Sequence, residues 1–357
     1  MLIALTIVLA GLTKRFVEDP LRAQRGRLKP LWRTFAIGAV CMALVAATAI
    51  AITSQVEGGV KRDTEAVAKA ELDPDRCFAG GAIRDKESCE PVGGAALITS
   101  PGFARRDTPR VYRDECVTPR PYLARPNCVY GDRGSSTRVA LLGNSVATQW
   151  FPAAEGMAQR NKWELRTYLA ATCYPVLTER ADFTEPGVAD SCRDFQQWAI
   201  SEIIRAKTDL VVVSSRTNAA LKDVPTSQKR ERAARAYLAM LNLLTDKGIR
   251  VVVIGNNPDP GVNVPDCVAE NLSDPRSCDV KRDEAVKDDP LMVAAGRSES
   301  GLISQLDAAD LVCLRDRCPA VIGGVIGYRD FTHLSATMTR SLRPELERTA
   351  ERALALR

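Results

Sequence analysis

Histidine is almost missing from this chain: its 357 residues include one, His333. Imidazole is the side chain that exchanges protons near neutral pH without special tuning. Chemistry of that kind is therefore confined to the stretch Asp330-Phe331-Thr332-His333-Leu334-Ser335. The same shortage deprives mixed Cys/His metal sites of ligands, and no two cysteines have CxxC spacing, so no metal site is expected. Net charge is small as well, at +5. Much of the excess is Lys14, Arg15, Arg22, Arg25, Arg27, Lys29 and Arg33, which leaves little basic balance elsewhere to argue for a nucleic-acid partner. Internal repeats and low-complexity tracts are absent.

What the chain does have is a long apolar run. Phe35 to Thr53 carry no charge and are rich in Ala, Val and Ile, a length of roughly 19 residues that suffices to cross a bilayer as a helix. The Lys/Arg cluster before it orients the helix with its start in the cytoplasm, so everything from about residue 55 onward is expected outside. Met1 to Leu12 are apolar too but too few to span alone. Their basic residues follow the apolar run, whereas a signal peptide has them first, so the segment reads as the cut end of a longer membrane helix. The expected organisation is the end of a membrane helix at 1–12, a basic cytoplasmic loop at 13–33, a transmembrane helix at 34–54, a loop-rich extracytoplasmic linker at 55–135 and the main globular domain at 136–357.

Cysteine usage offers an independent test, because disulfides persist outside the reducing cytosol. Of the 11 cysteines, Cys41 falls in the membrane helix. The others form close sequential pairs: Cys77 with Cys89, Cys116 with Cys128, Cys173 with Cys192, Cys267 with Cys278, and Cys313 with Cys318. Sequential pairing is the expectation, although sequence alone does not determine connectivity, and zinc is the competing use. Two of these loops would hold the linker, which is dense in Gly, Pro, Arg and Asp and shows no sustained period of 2 or 3.6.

From Arg138 onward short apolar runs alternate with amphipathic stretches. Candidate strands are Arg138 to Leu142, Leu165 to Leu169, Asp209 to Ser214, Arg250 to Gly255 and Ala320 to Ile326; candidate helices cover about 148–161, 193–207, 227–247, 297–309 and 335–355. Runs of continuous apolarity between helices imply a parallel sheet covered on both faces, a three-layer doubly wound α/β fold. Ligands of such sheets sit beyond the carboxyl ends of the strands.

Three groups of residues lie there. Gly143-Asn144-Ser145 ends the first strand before a helix, which sets a hydroxyl at the site edge beside N–H groups that favour developing negative charge; a plain helix N-cap is the bland alternative. Asp330, three residues before His333, could orient the imidazole and stabilise its charged form, or serve only as a cap and turn. Asn218, in Ser214-Ser215-Arg216-Thr217-Asn218, is a candidate oxyanion donor with the Ser145 N–H, with Arg216 as a rival and a turn cap as the bland reading.

Gly143-Asn144-Ser145 and Asp330-Phe331-Thr332-His333-Leu334-Ser335 resemble the first and last blocks of the SGNH (GDSL-type) hydrolase superfamily. More narrowly, Arg15-Phe16-Val17-Glu18-Asp19-Pro20-Leu21-Arg22 resembles the segment that closes the membrane domain of acyltransferase type 3 proteins fused to an SGNH domain. Cys173/Cys192, Cys313/Cys318 and the Leu142-to-Trp150 context fit that subgroup, and the resemblance covers nearly the whole chain. It implies an SGNH-like fold and O-acylation, usually O-acetylation, in the bacterial cell envelope. A membrane acyltransferase domain, supplied by missing upstream sequence or a separate chain, would deliver the acyl group, and a polysaccharide hydroxyl would accept it. No cofactor is implied. By the motif match Ser145 is the nucleophile, His333 the base and Asp330 the orienting acid.

The chain departs from the pattern in four ways. The usual Gly-Asp-Ser is Gly-Asn-Ser, the usual following His is Val146, and the Gly-x-Asn block survives only as Arg216-Thr217-Asn218. By the same resemblance, only the final stretch of the membrane bundle is expected in this sequence. Two other functions fit the same residues: a carbohydrate O-acetyl esterase with water as acceptor, and a non-catalytic accessory or sugar-binding module.

Overall fold

The computed structural model describes residues 10–19, 32–72, 77–89, 96–177, 183–216, 221 and 224–355. The chain divides into two compact units, Met1–Gly58 and Gly59–Arg357. In the first unit residues 10–19 are helical, with a π-helical stretch Lys14–Glu18, so helix occupies the start of the expected basic loop; residues 1–9 and 20–31 lie outside the described ones.

Helix α1 (Trp32–Leu72) has 41 residues, about twice what a bilayer core requires. From Gly38 its hydropathy reaches 1.9, and it is the one helix among the described residues long and apolar enough to cross a membrane. Val40, Met42, Val45, Ile50 and Ile52 are all exposed, an arrangement that suits lipid rather than water. The transmembrane stretch was expected to end at residue 54. Instead the helix runs unbroken to Leu72, because Ser54 to Leu72 keep good helix formers such as Glu, Lys and Ala through the Gly58-Gly59 pair.

The segment expected to be a loop-rich linker, 55–135, contributes to the core. Val67, Phe78, Ala79, Ala82, Ile83, Phe103, Ala104 and Val111 are buried in the core of the second unit. Strands β1 (Val117–Thr118) and β2 (Cys128–Gly131) join its main sheet. Beyond the end of α1 at Leu72 the segment shows no sustained period because its helices are turns of four to six residues, Gly81–Arg84 and Pro101–Arg106, each giving the core only two side chains.

The remaining sheet strands are β3 (Arg138–Gly143), β4 (Glu164–Ala170), β5 (Leu210–Ser214), β6 (Arg250–Ile254) and β7 (Ile303–Leu306). They lie in the order β1-β4-β3-β5-β6-β7, all parallel, with β2 antiparallel against β4. Alternate residues face opposite layers. Val139, Leu141, Val212, Val252 and Ile254 pack with helices α2 (Ser145–Gln149), α3 (Phe151–Asn161), α7 (Ala336–Ser341) and α8 (Arg343–Ala355). Ala140, Leu142, Val211, Val213, Val251 and Val253 pack with α4 (Val188–Arg205), α5 (Thr226–Thr245) and α6 (Pro290–Arg297). Burial on both faces is why these strands read as unbroken apolar runs.

One expected strand is misplaced. Val321–Ile322 and Val325–Ile326 form a separate antiparallel hairpin, turned by Gly323 and Gly324 at φ +52° and +78°. Two positive φ values in a two-residue turn favour glycine at both positions. The last sheet strand is instead β7, inside the stretch expected to be a helix at 297–309. That hairpin also anchors two upstream residues: the Ala79 N–H donates to the Gly323 carbonyl at 3.2 Å and the Ile98 N–H to that of Gly324 at 2.8 Å. Disulfides join Cys77–Cys89, Cys116–Cys128, Cys173–Cys192, Cys267–Cys278 and Cys313–Cys318, the sequential pairing expected.

Candidate active site

The register aligns Gly143 with Ser214, Ser214 with Ile254 and Ile254 with Leu306, so the carboxyl ends of β3, β5, β6 and β7 form one edge. At this edge Gly143 has φ +142°, and a Cβ there would stand 2.1 Å from the Ser214 carbonyl oxygen and 2.8 Å from the Ala147 Cβ. Only glycine lets the chain leave β3 so close to β5. Asn144 then caps α2. Its Oδ1 accepts from the Val146 N–H at 3.1 Å, while its Nδ2 donates to Ser215 Oγ at 3.0 Å, itself 2.9 Å from the Tyr237 hydroxyl. An amide both accepts and donates here; an ionised aspartate could only accept. The next residue is Ser145, whose N–H opens the helix and has no intrahelical acceptor.

The histidine arrives from the far end of the chain. Asp330 Oδ1 accepts the N–H groups of Thr332 and His333, both at 2.7 Å, which folds the loop into an Asx-type turn. Asp330 Oδ2 lies 2.8 Å from His333 Nδ1, and His333 Nε2 lies 2.9 Å from Ser145 Oγ. The hydroxyl and the imidazole are thus within proton-transfer reach, with the carboxylate behind the ring. The side chains of His333 and Asp330 are 17% and 30% exposed. Burial alone would raise the Asp330 pKa. The hydrogen bond and charge of His333, with the two backbone N–H groups, outweigh it and hold the carboxyl at about 2.

Two buried amides that the sequence reading passed over hold this loop. Leu334 N–H donates to Gln149 Oε1 at 2.8 Å, and Asn257 Nδ2 donates to the Thr332 carbonyl at 2.7 Å. Gln149 Nε2 in turn donates to Asn257 Oδ1 at 2.7 Å. The peptide groups on both sides of His333 are therefore tied to the helix that carries Ser145 and to the loop after β6. A signal existed: Gln149 is four residues after Ser145, on the same helix face, and Asn257 just follows a strand end. Replacing Asn257 by Leu orphans the Thr332 carbonyl and the Gln149 amide. It is expected to lower kcat about a hundredfold with little change in KM, because a shift of the imidazole by about 1 Å has effects of that size. Steady-state kinetics on an activated ester, with the melting curve recorded beside it, would check this.

Of the expected oxyanion donors, Ser145 is placed as described, whereas Asn218 lies outside the described residues. Arg216, its rival, lines a cavity beside the histidine loop.

A serine hydroxyl, an imidazole and a carboxylate thus stand in sequence at the carboxyl edge of a parallel sheet, an arrangement chemically suited to acyl transfer or hydrolysis. Residues 115–348 match the family of SGNH domains fused to AT3 domains, and the chain belongs to that family. The match begins upstream of the expected boundary at 136, in keeping with β1 and β2 belonging to the sheet. Among solved structures, the periplasmic domain of a lipopolysaccharide acetyltransferase from Salmonella ser. Paratyphi A is similar, with 14% identity and a TM-score of 0.46 over 60% of this chain and 84% of that one. A protein from Bacteroides fragilis assigned as an acylhydrolase has 13% identity and a TM-score of 0.36, over 63% of this chain and 91% of that one. No curated protein matches the sequence.

Proposed function

We propose that the protein is a membrane-anchored, extracytoplasmic O-acyltransferase that passes an acyl group, usually acetyl, through acyl-Ser145 to a hydroxyl of a cell-envelope polysaccharide. The observation that carries this reading is the 2.9 Å contact between His333 Nε2 and Ser145 Oγ, with Asp330 on the other ring nitrogen. Membership in a family of SGNH domains fused to AT3 domains supports a membrane acyltransferase domain as the source of the acyl group. The apolar stretch of α1, preceded in sequence by the Lys/Arg cluster, supports an anchor with the catalytic domain outside.

In this mechanism Ser145 Oγ attacks the acyl carbonyl as His333 Nε2 takes its proton, and Asp330 stabilises the imidazolium so formed. The Ser145 N–H, with the Asn218 amide as the proposed second donor, faces the oxyanion. The tetrahedral intermediate collapses, the bond to the donor oxygen breaks, and that oxygen leaves with the proton from His333. The acceptor hydroxyl then gives its proton to His333 and attacks acyl-Ser145, and the proton returns to Ser145 as the new ester departs. No cofactor enters this scheme. Water in place of the sugar would make the same residues an esterase, so product analysis separates the two. With an activated acetyl ester and saturating acceptor oligosaccharide, acetylated sugar is expected to form faster than free acetate. Acetate alone, at every acceptor concentration, would leave an esterase.

A further inference from the structure

Next to the histidine loop, the residues just after β5 and β6 enclose a cavity of about 300 Å³, a size at the lower end for small-molecule sites. Phe331 and Thr332, the two residues before His333, form one wall, and Asn257, which holds the Thr332 carbonyl, belongs to the lining as well. A molecule seated there lies against the loop that carries the imidazole. From this lining we infer that the cavity is the acceptor subsite and that it takes a pyranose bearing an anionic substituent, a carboxylate or a phosphate.

Three features of the lining point to that chemistry. The first is charge. Arg216 and Lys287 both line the cavity, against one carboxylate, Asp259. Lys287 Nζ donates to the Glu284 carbonyl oxygen, a partner that positions the ammonium without neutralising it. Asp259 Oδ1 accepts the Gly261 N–H at 3.0 Å and so helps to shape its own loop. Guanidinium and ammonium groups together suit a carboxylate or phosphate better than a neutral ring. The second is an acceptor waiting for a donor. Asn256 Oδ1 is buried with no hydrogen-bond partner among the described residues, while the Asn256 N–H is fixed on Asp289 Oδ2 at 2.8 Å. An unmet buried carbonyl is destabilising until something donates to it, and a sugar hydroxyl can. The third is a ring. Phe331 is 60% exposed at the cavity wall, where its face can cover the C–H face of a pyranose.

The use of this subsite rests on the acyl-transfer reading; the binding does not, and the test keeps them apart. Isothermal titration of the full chain in detergent would compare three probes: a galacturonate trisaccharide, its carboxyl-reduced counterpart, and the reduced trisaccharide carrying one phosphate monoester. The wild type is expected to bind at least one charged probe about tenfold or more tighter than the neutral one, with a preference that shrinks as salt rises. Whichever charged probe wins identifies the anionic group. The Arg216→Gln/Lys287→Gln double variant should lose the preference, and Phe331→Ala should weaken binding of every probe. Equal affinity for charged and neutral probes, a preference that survives the double variant, or binding of none of the three would overturn the inference. Acyl-Ser145 formation from an activated acetyl ester is read in the same samples. Acylation without charge preference removes this inference alone. Charge preference without acylation upholds the anionic sugar site and removes the transferase reading.

Discussion

Turnover of an activated acetyl ester is expected to fall by roughly a thousandfold or more when His333 is replaced by alanine. The chain has no second histidine to stand in for it, and the Ser145 hydroxyl lies 2.9 Å from His333 Nε2. Without the ring, Ser145 must lose its proton to water at its ordinary, weak acidity. Ser145→Ala should cost about as much, and the double variant no more than either single one, because residues that act as a unit lose their effect together. Initial rates for the three variants, with unchanged circular dichroism spectra, would check this. Additive losses would mean that the two side chains do not share one step.

Asp330→Asn is expected to lower kcat about ten-thousandfold while leaving the loop folded. The asparagine carbonyl can still accept the Thr332 and His333 N–H groups, as Asp330 Oδ1 does at 2.7 Å. Its NH₂ group must then face His333 Nδ1, which has to accept. The ring proton is thereby driven onto Nε2, the nitrogen that should take the proton of Ser145. The same substitution alters stability against pH in a direction that can be worked out. The Asp330 carboxyl titrates near 2 in the folded chain against an ordinary value of 3.8, so ionisation favours the folded state. That contribution is fully present above about pH 4 and disappears as pH falls towards 2. Denaturant titrations at neutral pH and near pH 2.5 should therefore show a smaller acid-induced loss of stability in Asp330→Asn than in the wild type.

How far the sequence alone carries depended on the kind of signal. Strands β3, β5 and β6 are legible because burial on both faces leaves runs such as Val211-Val212-Val213 with no polar interruption, whereas β4 carries Arg166 and Thr167 and shows itself through Leu165, Tyr168 and Leu169 around them. β7 is not legible: Ile303-Ser304-Gln305-Leu306 is a short edge strand, half-buried, and it looks more like the end of a helix than like a strand. The run Ala320 to Ile326 looks like a buried strand but contains Gly323-Gly324, and those two residues turn it into a hairpin. Residues 55 to 135 gave no period because their contribution to the core comes a few side chains at a time. Ser145, Asp330 and His333 could be picked out because a single imidazole leaves no choice of partner. Gln149 and Asn257 carry a weaker signal, their places four residues after Ser145 and just past a strand end, since a buried amide shows its role only when the Leu334 N–H and Thr332 carbonyl are seen beside it.

The central claim is that an acyl group rests on Ser145 during the reaction. Mass spectrometry of the protein quenched within the first turnovers of an activated acetyl ester tests it most directly. The account expects one acetyl group on the peptide containing Ser145, absent in Ser145→Ala and strongly reduced in His333→Ala. No acetyl group on Ser145, together with ester turnover that persists in Ser145→Ala, would contradict it.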